Sequence, residues 1–105
     1  MTTRDAITLY RDAAGQPRAG GADTALAAFL ETDCQGSAHH TTAILAALDA
    51  GRDAVFTGNA HELQLSGARA TITPLEHDDA QARQLSTETL RRTLLRWLDF
   101  VTEGG

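Results

Sequence analysis

The sequence contains no lysine: its nine basic residues are all arginine, set against 14 acidic ones. Codon bias from a GC-rich genome is the simplest reading, preferred over an interface selected for arginine. A single cysteine, Cys34, excludes an internal disulfide. Aromatic residues make up only 5% of the chain, so any core must be built mainly from aliphatic side chains. No apolar run approaches the ~18 residues that a membrane span needs. The opening Met1-Thr2-Thr3-Arg4-Asp5 carries an acidic residue where a signal peptide would be apolar, which points to the cytosol. The formal net charge of −5 disfavours direct binding to nucleic-acid phosphate or an anionic membrane, and favours basic surfaces.

What is present suits a globular protein. A hydrophobic fraction of 42% over 105 residues is enough for one domain with one core. In residues 6–11, Ile7 and Leu9 alternate with Thr8 and Tyr10, a strand pattern. Turn chemistry follows at Asp12, Gly15 and Pro17, fitting a hairpin or edge connection. Residues 24–32 are ambiguous. Leu26, Phe29 and Leu30 could share a helical face, but the segment is short and bounded by breakers, and a strand is the preferred reading.

The remainder is clearer. Ser37 is placed to cap a helix over residues 38–50, with Thr41, Ile44, Leu45 and Leu48 on one face and Gly51 closing it. Residues 60–65 put His61, Leu63 and Leu65 on one side and Glu62 and Gln64 on the other. After a tight turn at Ser66-Gly67, Ala68, Ala70 and Ile72 alternate with Arg69, Thr71 and Thr73. This predicts a hairpin with one buried and one wet face. Residues 74–84 read as a polar loop. Ser86 then caps a last helix, with Leu85 and Leu90 as a hydrophobic staple. Along it Leu90, Leu94, Trp97, Leu98 and Val101 form an apolar stripe. The expected fold class is α+β: a small mixed or antiparallel sheet with two main helices packed on one face.

Candidate sites are sparse. Cys34, His39 and His40 do not have a zinc-ligand spacing, and His61 and His77 belong to other segments; Cys34 and its neighbours read as surface and cap residues. No nucleophile elbow, glycine-rich phosphate loop or HExxH motif occurs. His61 and Glu62 point to opposite faces and cannot act together on one substrate. Arg91, Arg92 and Arg96 read as a solvated helix face with Arg96 paired to Asp99. The sequence therefore predicts no enzyme, no metal and no cofactor. Two acidic clusters remain: Glu31 and Asp33, with Asp23 nearby, and Glu76, Asp78 and Asp79. Either is by default a solvated loop. As functional features, Glu31, Asp33, Glu76, Asp78 and Asp79 are the candidate contacts for a basic protein partner.

The chain also resembles two groups of proteins. The resemblance rests on Tyr10-Arg11-Asp12-Ala13-Ala14-Gly15, the helix to Gly51, Gly58-Asn59-Ala60-His61-Glu62-Leu63 with its hairpin, Leu85-Ser86, and Trp97-Leu98-Asp99-Phe100-Val101. This arrangement is similar to the YacL-like family of small bacterial proteins and to immunity proteins of contact-dependent growth-inhibition systems. The resemblance supports a strand at 24–32. It also implies binding to a cognate toxin domain, often a nuclease, whose active site or substrate access is blocked. The protein would be a monomer or weak homodimer. The alternative is a housekeeping structural or regulatory protein, a homodimer or adaptor built on an exposed sheet edge.

Overall fold

A computed structural model describes residues 7–21, 24–34, 38–58, 60–75 and 82–103. Two antiparallel strands, β1 (Thr8–Arg11) and β2 (Pro17–Gly20), form a small first sheet. Helix α1 (Thr24–Phe29) runs into a π-helical turn, Leu30–Cys34, followed by helix α2 (Ala38–Ala50). Strands β3 (Ala54–Thr57), β4 (His61–Ser66), β5 (Arg69–Pro74) and β6 (Arg83–Ser86) make an antiparallel meander in the order β3-β4-β5-β6. Helix α3 (Thr87–Glu103) completes an α+β fold.

The predicted hairpins form. The Asp12 carboxylate accepts the backbone N–H of Ala14 and Gln16 and so organises the β1–β2 turn. In the meander, Ser66 pairs with Arg69 across a two-residue loop, Gly67-Ala68. That loop needs a left-handed residue, and Gly67 supplies it with φ +60°. His61, Leu63, Leu65, Ala70, Ile72 and Leu85 are buried on one sheet face. They join a core with Ile44 and Leu45 of α2 and Leu90, Leu94 and Trp97 of α3. The two long helices pack together; α3 packs on strands β5 and β6, and α1 on β5. Ser86 caps α3 as expected: its hydroxyl accepts the Thr89 N–H at 3.0 Å.

Four expectations are corrected. Residues 24–32 are helical, not a strand. Leu26, Phe29, Leu30 and Asp33 fall at i, i+3, i+4 and i+7 and are all buried, so tertiary packing stabilises a helix too short to form alone. Residues 74–84 are not all loop, because Arg83 and Gln84 pair with Ile72 and Thr71 as part of β6. Leu85 is the only buried residue of that strand, so alternation alone was too weak to reveal it. Cys34 is not a surface residue; its exposure is nil. Arg96 donates to the Ile7 carbonyl at 3.2 Å and helps anchor β1. The proposed cap at Ser37 and the acidic residues Asp23, Glu76, Asp78 and Asp79 lie outside the described residues.

Candidate functional site

The most unusual chemistry lies where α1 ends. The π-helical turn carries an extra residue per turn, and π-helical segments recur at functional sites. Here it turns Asp33 and Cys34 inward together. The Asp33 side chain is wholly buried and that of His61 nine-tenths buried. They meet with Asp33 Oδ2 3.1 Å from His61 Nδ1. With the carboxylate as acceptor, the Nδ1–H form of the imidazole is the donor in this pair. Asp33 Oδ1 accepts the Ala60 N–H at 2.8 Å. Thr32 Oγ1 donates to the Ala28 carbonyl and lies within 3.4 Å of Nδ1. The edge of Phe29 meets the imidazole at 6.2 Å between ring centres.

Gly58 makes this approach possible. A Cβ there would lie 2.7 Å from Asp33 Cγ and 2.9 Å from its Cβ, closer than carbon atoms tolerate. The arrangement ties the helical segment to the connection between β3 and β4. Its carboxylate has no access to solvent, so it orients and anchors rather than meeting a substrate. Neighbouring Cys34 hydrogen-bonds Thr41, yet burial pushes its thiol up to about 12. It is therefore a neutral thiol near pH 7.

The acidic residues read from the sequence as partner contacts are placed as follows. Glu31 accepts from Arg18 Nε at 3.0 Å and from the Ala19 backbone N–H at 2.7 Å. Arg18, with help from the Ala19 N–H, holds the Glu31 carboxyl below its usual range. Glu31 thus clamps β2 and is only partly open to solvent, while Asp33 does not reach the surface. His39 is exposed and His40 half-buried on α2, apart from the buried pair. Arg91 pairs with Asp49 of α2 at 2.7 Å.

Two of these partnerships escaped the sequence reading, and both depended on the same segment. Had residues 24–34 been taken as a helix, Asp33 would have fallen on the stripe of Leu26 and Leu30. His61 was already assigned to the buried face of its strand. A buried imidazole requires a polar partner, so the signal was present in the spacing.

The second candidate is the sheet face that no described helix covers. One row across it is Val55, Gln64, Thr71 and Gln84, and the next is Thr57, Glu62 and Thr73. Val55 is 57% exposed, the largest value among the big apolar side chains of the described residues. Arg69 donates to Gln84 Oε1 at 3.0 Å on the same strand pair. This surface is mostly uncharged, with Glu62 and Arg69 as its charged members. Among the described residues no group of three or more His, Cys, Asp or Glu could hold a metal ion, and no helix is long and apolar enough to cross a membrane.

No family model matches the chain, and no curated protein or solved structure matches it either. Any functional reading therefore stands on the residues themselves.

Proposed function

We propose that this chain is a cytoplasmic immunity-type protein: it binds a cognate bacterial toxin domain and occludes its active site or substrate access, with no chemistry of its own. The uncovered face of the four-stranded sheet carries the reading. It offers a surface with one exposed apolar side chain, Val55, among mostly uncharged polar ones, with Glu62 and Arg69 as its charged members. Such a mixture suits a protein partner better than a small substrate. The net charge of −5 favours a basic partner and speeds encounter with it. A nuclease domain, with its positively charged phosphate-binding cleft, has the required sign. Glu76, Asp78 and Asp79 follow β5 in the sequence and add to the negative charge available for a basic partner.

Co-expression with the toxin domain encoded by the neighbouring gene tests the proposal. The expected result is a complex that co-purifies and abolishes toxin activity. Absence of any complex at micromolar concentration ends the reading. Charge reversal at Asp78 and Asp79 should slow association and flatten its salt dependence, whereas Gln64→Arg on the open face should speed dissociation. A second reading, a homodimeric housekeeping adaptor, is favoured by one separate observation: the free outer edge of β3.

A further inference from the structure

The two sheets have four outer edges, and on three of them a charged side chain bonds an outward backbone group. Around β1–β2, the hydrogen bond from Asp12 N–H to the Gln16 carbonyl fixes the ladder's phase. Ile7 and Ala19 then direct their backbone groups outward. Arg96 covers the Ile7 carbonyl, and Glu31 covers the Ala19 N–H. On β6 the outward carbonyl of Gln84 is covered by the Arg83 guanidinium.

The remaining edge is β3. The Gly58 N–H donates to the His61 carbonyl at 2.9 Å, so residues 54, 56 and 58 bond inward to β4. Alternation leaves the N–H and C=O of Val55 and Thr57 facing outward. Among the described residues no strand, turn or side chain bonds to these groups. The strand, Ala-Val-Phe-Thr, holds no charge and no proline, the usual devices that keep an edge unpaired.

We propose that β3 is a self-association edge, and that two copies of this chain join along it into a continuous antiparallel sheet of eight strands. The strand is complementary to itself. Placing Phe56 of each copy on a two-fold axis sets Val55 opposite Thr57 of the other copy, twice. Each such pair exchanges two backbone bonds, four in all. The half-buried Phe56 rings face each other across the axis, and Val55 packs beside Thr57 on the open face. Arg52 falls opposite Ala60, so no like charges are opposed at that end of the strand. Arg52 and Asp53, the charges preceding β3, cancel. The edge therefore carries no attraction for a basic strand; its Val55 and Thr57 side chains border the open face proposed above for toxin binding, and the two uses differ in the charge of the partner. A four-residue edge buries less than the ~1,200 Å² of a stable standard interface, so the dimer forms at high concentration.

Sedimentation velocity from micromolar to millimolar concentration tests this. The mass should rise from 11.2 kDa towards twice that value. Val55→Lys and Thr57→Pro should each weaken association at least about tenfold. Thr57→Pro removes an outward N–H and no bond to β4. Amide exchange on the unmodified protein gives an independent reading should a variant misfold. Protection of Val55 and Thr57 should increase with concentration, while that of Ala54, Phe56 and Gly58 stays constant. A monomer throughout the range, a dimer unaffected by either variant, or exchange at Val55 and Thr57 independent of concentration overturns the proposal. Toxin binding without self-association does so as well, and leaves the immunity reading standing.

Discussion

The two sheets of this molecule are held by different forces. The β3–β6 meander sits on a core in which Leu63, Ile72, Leu90, Leu94 and Trp97 are almost fully buried. The β1–β2 hairpin buries Ile7 and Ala19 but is positioned largely by polar clamps. Arg96 holds the Ile7 carbonyl, and Arg11 holds that of Phe100 while lying 4.9 Å over its ring. Glu31 joins Arg18 and the Ala19 N–H. Apolar burial scales with area and is insensitive to pH. Polar clamps fix orientation but contribute little net stability, and charge can release them. The meander should therefore set global stability, and the first hairpin should be the part that loosens alone.

The largest expected effect comes from the core. Trp97→Ala should cost about 3–5 kcal/mol, read from the denaturant midpoint. An unchanged midpoint would mean that α3 does not carry the core. The buried pair comes next. Asp33→Ala orphans His61 and the Ala60 N–H and should cost about 3 kcal/mol. Gly58→Ala should displace Asp33 and give part of the same loss. If the double variant lost the sum of the two, the sites would be independent and the proposed clash wrong.

A smaller and local effect should follow from Glu31→Gln, about 1 kcal/mol. Amide exchange should quicken at Ala19 while Leu63 and Ile72 keep their protection. Acid should act in the same way. The carboxyl of Glu31 titrates below its usual value in the folded state, so its contribution is complete above that value. It is lost as the pH falls through the lowered one. Asp12 is shifted the same way, chiefly by the Gln16 N–H. NMR during acidification should show β1–β2 signals changing before those of β4–β5; simultaneous loss would erase the distinction between the sheets. The smallest effect should come from Arg91→Ala, which breaks an exposed pair with Asp49 and should cost under about 0.5 kcal/mol by thermal melting.

The same contrast explains what the sequence made legible. The meander's central hairpin and α3 were readable because their apolar residues repeat at strand or helix period. Ser86 was readable as a cap because Leu85 and Leu90 bracket it as a hydrophobic staple. The polar clamps were harder to read: Arg18–Glu31 and Asp33–His61 join positions 13 and 28 residues apart, and only the second leaves a trace, in the helical stripe through Asp33 and the buried face of His61. Helix α1 was misread because its stripe is only two turns long and its alanines fit either face. Strand β6 was missed because its register is dictated by β5 rather than by its own residues. Of the acidic residues taken as partner contacts, Glu31 and Asp33 are engaged within the fold. Charge in a sequence does not say whether it faces inward or outward.

Trp97 is the sole tryptophan of the chain and has no exposed surface. The molecule thus carries one indole, sealed in the core and excitable apart from the exposed Tyr10. Its emission should lie towards short wavelengths and move red only when the core opens to water. Docking on the open sheet face or pairing along β3 should leave that colour unchanged. One spectrum therefore separates a partner that binds the folded protein from a condition that melts it.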